Sequence, residues 1–118
     1  MTFEYQAELL RVVDGDTYWL RVWKDLVFGF GLAESKTFEG KFRLADFNCP
    51  ETSGPSRERG LLAKAEAARL LGAGISRVVS RNKMHGDRWL ADVYVLVDGT
   101  ERSLGEVLFE RGFAQVYP

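Results

Sequence analysis

The chain has 118 residues, of which 46% are apolar, 28% charged and 13% aromatic, and its net charge is −1. This is the length of one ordinary domain, and the content of apolar and aromatic residues excludes an intrinsically disordered chain, because their burial offsets the entropy lost on ordering. The sequence contains no apolar run near the roughly 20 residues that a membrane-spanning helix needs.

The N-terminus and the cysteine content bear on the compartment. Residues 1–5 lack the basic head and apolar run of a signal peptide, so the sequence as given predicts a cytoplasmic protein, with a secreted mature form as the alternative. Cys49 is the one cysteine and cannot form an internal disulfide or a thiolate zinc site, which favours a reducing compartment. We expect one domain over residues 1–118 and no membrane partner.

The first half of the chain is predicted to be β structure. Two strands, over residues 7–13 and 17–23, are rich in β-branched and aromatic residues and flank the turn sequence Asp14-Gly15-Asp16. The glycine-rich segment 27–31 indicates a second turn or bulge, and a third strand is predicted over residues 36–47.

The second half begins with a predicted helix. Residues 58–71 are rich in Ala, Leu, Lys, Glu and Arg, which favour helix. Within it, Leu61, Ala65, Ala68 and Leu71 or Gly72 recur at helical spacing, so we expect them to form the buried stripe.

Two further strands and a second helix complete the predicted elements. The strands cover residues 75–83 and 89–97, and Asp98-Gly99 is a tight-turn signal. A capping box, Ser103 with Glu106, begins the last helix. Five short strands with an interposed helix favour a small barrel over a βαβ sheet. We therefore predict an α+β fold that is mainly β: a five-stranded OB-fold barrel with two helices.

Charge is distributed unevenly along the chain. Residues 57–88 carry eight basic and three acidic side chains, a net charge of +5, so the remainder of the chain carries −6. Two interpretations remain open, an anion-binding surface and ordinary solvated faces of helix and strands.

Three polar sites interrupt the otherwise apolar strands. The carboxylates of Asp14 and Asp16 flank a glycine, which is typical of a turn but also suits a hard cation such as Ca²⁺. Arg43 lies in an apolar strand ahead of Glu51, and Arg88 begins another strand. Hydrolysis of a phosphodiester needs a metal, forked guanidinium groups and a base for water. The alternative is that the arginines pair with nearby carboxylates in an inert barrel.

Four segments of the chain resemble the staphylococcal (micrococcal) nuclease family. They lie in order and at suitable spacing over nearly the whole chain: Val12–Thr17, Phe42–Leu44 with Asn48–Thr52, Arg88–Val93, and Leu104–Tyr117. The resemblance implies an OB barrel and a Ca²⁺-dependent endonuclease that breaks the bond to the 5′ oxygen of DNA or RNA and leaves a 3′-phosphate.

The resemblance also implies roles for individual residues. Asp16, Asn48 and the backbone carbonyl of Cys49 would bind Ca²⁺, with Asp14 in the outer coordination sphere. Glu51 would be the general base or the group that orients water, and Arg43 and Arg88 would hold the scissile phosphate and stabilise the transition state. We expect a preference for single-stranded or locally open substrate, whose backbone would be bound with the help of Arg57, Arg59, Arg81 and Lys83.

The chain departs from the family pattern at several points. Asn48 stands where the family usually has an aspartate, which predicts weaker binding of Ca²⁺. Tyr-Gly-Arg, common in the family, is replaced by Gly86-Asp87-Arg88 after His85, and Asp87 could pair with Arg88 or repel phosphate. His85 itself is expected to be an exposed loop residue.

Two further departures concern length. The segment 25–39 is long and predicts an extended hairpin, and the usual third helix is expected to be missing or very short, because the sequence ends at Pro118. We expect a monomer, with a dimer formed through the 25–39 hairpin as the alternative. For the function, the alternative is a catalytically weak or inactive OB-fold module that binds nucleic acid or a protein partner.

Overall fold

Strands make up most of the computed structural model, which describes residues 3–27 and 33–117. The strands are β1 (Phe3–Asp14), β2 (Thr17–Val27), β3 (Ala33–Leu44), β4 (Phe47–Asn48), β5 (Ile75–His85), β6 (Arg88–Val97), β7 (Thr100–Ser103) and β8 (Gln115–Val116). The helices are α1 (Arg57–Gly72), preceded by a 3-10 turn at Gly54–Ser56, and α2 (Leu104–Glu110).

Five of these strands close into a barrel. The hydrogen-bonded order is β3-β2-β1-β5-β6, and a further pairing of β3 with β6 closes the ring. This closing pair is parallel, with Phe42 opposite Trp89 and Arg43 opposite Leu90, whereas the other barrel pairs are antiparallel. A closed five-stranded mixed barrel with two helices confirms the predicted fold class, an α+β architecture of the OB type.

Alternating side chains of the barrel strands form the core. Tyr18, Leu20 and Val22 of β2 are buried at every second position, as expected when one face of a strand lies inward. The other buried apolar side chains of the barrel strands are Phe42, Leu44, Val78, Ala91, Val93 and Val95. The Tyr18 hydroxyl donates a hydrogen bond to the Gly15 carbonyl, so the core also holds the turn between β1 and β2.

The hairpin of β2 and β3 extends well beyond the closed part of the barrel. The two strands pair without interruption from Thr17 opposite Arg43 to Val27 opposite Ala33, which agrees with the predicted long hairpin. Residues 28–32 lie outside the described residues, so the turn or bulge predicted at 27–31 stays a prediction. Dimerisation through this hairpin likewise stays a prediction.

The buried side of α1 differs from the predicted stripe. Leu61 and Ala65 are exposed and Ala68 is half-buried, so of the predicted positions only Leu71 belongs to the buried set. The residues that the helix buries are Gly60, Ala63, Ala67, Leu70 and Leu71. Leucines occur on more than one side of this helix, so their spacing did not identify its buried side. Small residues face the barrel instead, and they allow the helix to approach it closely.

At Gly60, α1 closely approaches the loop that carries Glu51. A Cβ atom built on Gly60 would overlap the backbone carbonyl oxygen of Glu51, so only glycine lets α1 pack against this loop. Gly72, in the last turn of the same helix, has no atom within 4 Å of the corresponding position. The two glycines therefore offer a matched pair for measuring the contact.

We expect Gly60→Ala to lower the free energy of unfolding by about 3 kcal/mol, because the overlap forces the loop or the helix to move. Gly72→Ala is expected to leave it unchanged or raise it by up to about 1 kcal/mol, since alanine favours helix. Urea denaturation of both variants measures the difference. Equal stability of the two variants would contradict the close contact at Gly60.

The C-terminal part brings the chain back to the end of β3. Asp98 and Gly99 have φ of 51° and 79°, as in the tight hairpin turn predicted there, and the Glu106 N–H donates to the Ser103 hydroxyl at 3.4 Å, as expected for the cap of α2. The short strands β4 and β8 then pair, and the Tyr117 N–H donates to the Asp46 carbonyl at 2.7 Å.

Across residues 3–27 and 33–117, neither helix has the length and apolar character needed to cross a membrane.

Candidate functional site

The residues predicted for catalysis and for metal binding lie around one small polar cavity of about 230 Å³. We call it the polar cavity. Its lining consists of Asp14, Asp16, Arg43, Asn48, Cys49, Pro50, Glu51, His85, Arg88 and Tyr117. These residues come from four separate parts of the chain, so the fold assembles a polar site at one place on the barrel.

Strand register explains how the polar cavity forms. Asp14 and Thr17 pair across the tight turn between β1 and β2, and Thr17 is in turn opposite Arg43 of β3. The Leu44 N–H donates to the Asp16 carbonyl at 2.8 Å, which joins the turn to the end of β3. Because β3 also pairs with the start of β6, Arg88 lies beside this junction.

Gly15 allows this turn to approach the neighbouring loop and helix. A Cβ atom on Gly15 would lie 2.9 Å from Cβ of Cys49 and 3.0 Å from Cβ of Ala63 of α1. These separations are too short for a side chain, so glycine is required for close packing rather than for an unusual backbone angle. The turn that carries Asp14 and Asp16 is therefore held against the loop that carries Glu51.

Asp16 is a buried carboxylate whose charge is compensated locally. It is only 6% exposed. Its Oδ2 accepts the Cys49 N–H at 2.9 Å and lies 3.8 Å from Nη2 of Arg43, and its Oδ1 accepts the Thr17 hydroxyl at 3.2 Å. A buried charge needs such partners, and they hold one carboxylate in a fixed orientation at the wall of the cavity.

Arg43 is the most buried arginine of the polar cavity, at 4% exposure. Its Nη1 donates to the carbonyls of Leu44 at 2.8 Å and Phe47 at 3.2 Å, and its Nη2 donates to Oδ1 of Asn48 at 2.9 Å. The guanidinium carbon lies 4.8 Å from the centre of the Tyr117 ring, within the range of a cation–π contact. Neutral acceptors thus orient this guanidinium, and the Asp16 carboxylate, 3.8 Å away, partly offsets its charge.

Arg88 is more accessible and is held by fewer contacts. Its Nη1 donates to the Thr17 hydroxyl at 3.1 Å and its Nε to the His85 carbonyl at 3.4 Å. Asp87 lies 3.8 Å from Nε, but its carboxylate accepts a hydrogen bond of 2.8 Å from Lys41, which lowers the pKa of the Asp87 carboxyl. Lys41 therefore offsets the charge of Asp87, and this leaves Arg88 suited to an added anion.

Glu51 differs from Asp16 because its carboxylate is exposed. Within the described residues this carboxylate has no hydrogen bond or salt bridge. Its backbone is well held, since the Glu51 carbonyl accepts the Ser56 hydroxyl at 3.1 Å and Gly60 packs against it. Next to it, the Thr52 hydroxyl donates to Asp14 at 2.9 Å, which ties the loop to the β1–β2 turn.

Carboxylate and amide oxygens, the ligand types of a hard cation, line the polar cavity. In residues 3–27 and 33–117, no group of three or more His, Cys, Asp and Glu side chains is arranged to hold a metal ion. Asp16 offers a fixed carboxylate, and Asn48 offers an amide oxygen that already accepts from Arg43. Oxygen ligands of this kind suit a hard cation such as Ca²⁺. Of these two side chains, however, only Asp16 carries a negative charge.

The thiol of Cys49 is unsuited to chemistry at neutral pH. The side chain is buried, and burial, together with the charge of Asp16, raises the pKa of the thiol to about 12. A protonated thiol is a poor nucleophile and a poor metal ligand. Only the backbone of Cys49 remains as a participant, and its N–H already holds Asp16.

The four cationic residues predicted to bind nucleic acid lie in different surroundings. Arg81 forms ion pairs with Asp92 at 2.8 Å and Asp46 at 2.6 Å, and these hydrogen bonds raise the pKa of its guanidinium above the ordinary value. Lys83 is exposed near Tyr117. Arg57 and Arg59 are exposed in the first turn of α1, and of these two Arg59 lines a depression beside the polar cavity.

Three residues of the site were not assigned to it from the sequence. Thr17 bridges Asp16 and Arg88, Tyr117 lies against Arg43, and His85 is half-buried in the cavity wall rather than exposed in a loop. His85 belongs to the last pair of the β5–β6 hairpin, opposite Arg88, and its ring lies 6.2 Å from that of Tyr117. Of the three, only Thr17 had a local signal, because it directly follows Asp16 in the sequence.

Comparison with known proteins does not assign this chain to a family. No family model matches the sequence, and no curated protein matches it.

Proposed function

We propose that this protein is a nuclease that hydrolyses phosphodiester bonds of single-stranded or locally open DNA or RNA, with bound Ca²⁺. The observation that carries the proposal is that two arginines, a buried carboxylate and an exposed carboxylate line one small polar cavity: Arg43, Arg88, Asp16 and Glu51. Phosphodiester hydrolysis needs cationic groups next to the negatively charged phosphate, a positioned water molecule and a base. The resemblance of four segments to the staphylococcal nuclease family supports the same function.

The two arginines would bind the scissile phosphate. A guanidinium can grip two phosphate oxygens at once, and its fixed orientation favours the charge that develops in the transition state. Arg43 is oriented beforehand by backbone carbonyls, so little reorganisation is needed when substrate binds. Arg88, which is partly exposed, would complete the clamp from the neighbouring strand β6.

Glu51 would act on the attacking water. Its exposed carboxylate accepts a proton from water as the oxygen attacks phosphorus, or orients that water for attack. The bond from phosphorus to the 5′ oxygen breaks, the leaving oxygen takes up a proton from solvent water, and Glu51 releases its own proton to solvent. The products are then a 3′-phosphate on one fragment and a 5′-hydroxyl on the other, so atoms and charge balance.

Asp16 and Asn48, with the backbone carbonyl of Cys49, would hold Ca²⁺, and Asp14 would lie in the outer coordination sphere. When bound, the ion supplies positive charge that offsets the charge of the phosphate. Asp16 is suited to this because its carboxylate is fixed by the Cys49 N–H and the Thr17 hydroxyl. Asn48 lowers the negative charge of the ligand set, which is why we expect weak binding.

The alternative function is an OB-fold module that binds nucleic acid or a protein partner without catalysis. The feature that favours it is the amide of Asn48, which is already bonded to Arg43. Arg43, Glu51, Arg88 and Asp16 argue against it, since an inert barrel does not need all four at one cavity.

Product analysis tests the proposed reaction. A single-stranded oligonucleotide is incubated with the protein and Ca²⁺, and the fragments are identified by mass. We expect 3′-phosphate and 5′-hydroxyl ends. Fragments with 5′-phosphate ends would contradict the proposed bond cleavage, and intact oligonucleotide that remains bound would favour the binding module.

Restoring a carboxylate at position 48 tests the metal site. We expect Asn48→Asp to tighten Ca²⁺ binding by about tenfold, because the ligand set gains one negative charge. Asn82→Asp is the control, since it adds the same charge at an exposed position outside the lining of the polar cavity. Calorimetric titration with Ca²⁺ measures both variants. The metal assignment fails if Asn48→Asp binds no more tightly than the control.

A further inference from the structure

A second depression lies directly beside the polar cavity. It has a volume of about 310 Å³ and shares Asn48, Cys49 and Pro50 with the polar cavity. Its other walls come from the start of α1 and from the segment after α2, including Arg59, Leu62 and Phe113. We call this depression the side groove. Because three residues line both depressions, a chain bound in one can continue into the other.

The side groove offers a cation to a bound ligand. Arg59 is exposed and, within the described residues, forms no salt bridge. It lies in the first turn of α1, where a positive side chain opposes the helix dipole and is unfavourable for helix stability. No acidic residue lines the groove. Arg59 therefore supplies positive charge that no acidic residue of the groove lining offsets.

Apolar side chains also line the groove. Leu62, three residues after Arg59 in α1, is 61% exposed, and Phe113, from the segment after α2, is half-buried. Ser56 and Gln115 contribute polar groups at the rim. One cation, an apolar wall with an aromatic ring and a few hydrogen-bonding groups match the parts of a nucleotide: its phosphate, its base and its sugar.

We propose that the side groove binds the nucleotide next to the scissile phosphate, with Arg59 on the following phosphate of the strand. This inference rests on the proposed function. It implies that the substrate is a strand longer than a dinucleotide, because a dinucleotide has no second phosphodiester to reach Arg59. Arg59 is thereby a residue that sets the preference for chain length, and it takes no part in the chemical step.

The test compares Arg59→Gln with Lys64→Gln on two substrates, thymidine dinucleotide and a hexameric oligothymidylate. Both variants lose one positive charge from α1, but Lys64 lines neither the side groove nor the polar cavity. We expect Arg59→Gln to raise KM for the hexamer by about tenfold with kcat unchanged, and to change KM for the dinucleotide by less than about twofold. Lys64→Gln is expected to change KM for either substrate by less than about twofold.

Salt dependence supplies a second readout. Loss of one phosphate contact is expected to reduce the slope of log(kcat/KM) against log[salt] by about 0.7 for a single strand. Equal effects of the two variants, or equal effects on the two substrates, would overturn the assignment of the groove.

Binding without cleavage separates this inference from the proposed function. Fluorescence anisotropy of labelled hexamer in EDTA is measured for the same three proteins. If wild-type protein cleaves nothing but Arg59→Gln weakens binding relative to Lys64→Gln, the proposed nuclease function is wrong and the assignment of the side groove is supported. If the hexamer binds equally well to both variants, or does not bind to wild-type protein, the groove assignment is wrong.

Discussion

Replacing Glu51 by glutamine is expected to lower kcat by about 10²–10⁴-fold, the usual contribution of a general base. The amide keeps the shape of the side chain but cannot accept a proton from water. Because the carboxylate of Glu51 is exposed and bonded to no described residue, its loss leaves the packing unchanged. We therefore expect the free energy of unfolding to change by less than about 0.5 kcal/mol.

Glu58→Gln is the matched control for this prediction. Glu58 is also an exposed glutamate near the start of α1, and it does not line the polar cavity. Initial rates on a labelled oligonucleotide at saturating Ca²⁺, with thermal melting of each protein, separate chemistry from folding. Glu51→Gln activity within about tenfold of wild type would contradict the role of Glu51 as the base.

Replacing Arg88 by glutamine is expected to lower kcat by about 10²–10³-fold, as removal of one charged donor from a transition state commonly does. Arg88 is partly exposed and, within residues 3–27 and 33–117, makes two hydrogen bonds, to the Thr17 hydroxyl and to the His85 carbonyl, so we expect the barrel to remain folded. Arg88→Lys is expected to recover little of the lost kcat, because an ammonium group cannot bind two phosphate oxygens in one plane as a guanidinium does.

Arg77→Gln serves as the control, since Arg77 lies on β5 in a surface cluster with Glu4 and Glu101. Single-turnover rates for the three variants measure the effect on the chemical step. Similar rates for Arg88→Gln and Arg77→Gln would show that the positive charge at position 88 has no special role.

Substitution of Arg43 would test the chemistry less directly than substitution of Arg88. Its guanidinium satisfies the Leu44 and Phe47 carbonyls and Oδ1 of Asn48 in a buried place. Removing it leaves these acceptors without partners, which destabilises a protein by about 1–3 kcal/mol for each unsatisfied group. Loss of activity in an Arg43 variant would therefore combine chemistry with folding.

Local sequence patterns predicted the barrel because they determine its parts directly. Alternating apolar residues in β2, the Asp98-Gly99 turn and the Ser103 cap each act over a few residues, and each is present in the structure. The two-residue strands β4 and β8 were not predicted, since two residues show no periodicity and their pairing depends on the chain returning from α2.

Contacts between distant residues account for what the sequence did not predict. The buried side of α1 is decided by how closely Gly60 approaches the Glu51 carbonyl, which no spacing of leucines reveals. Lys41 reaches Asp87, and Tyr117 reaches Arg43, only because of the barrel register and the β4–β8 pairing. Arg43 could be singled out because a charged group in an apolar strand is unusual even without knowledge of the fold. The roles expected of Asp16, Asn48, Glu51 and Arg88 were implied by the resemblance to the staphylococcal nuclease family.

Metal-dependent cleavage is the most direct measurement of the central claim. End-labelled single-stranded DNA is incubated with the wild-type protein in millimolar Ca²⁺ or in EDTA, with Glu51→Gln alongside. The proposed function predicts cleavage in Ca²⁺ by wild-type protein alone and none in EDTA. Binding of the DNA without cleavage in Ca²⁺ would contradict it, and the barrel would then be a binding module.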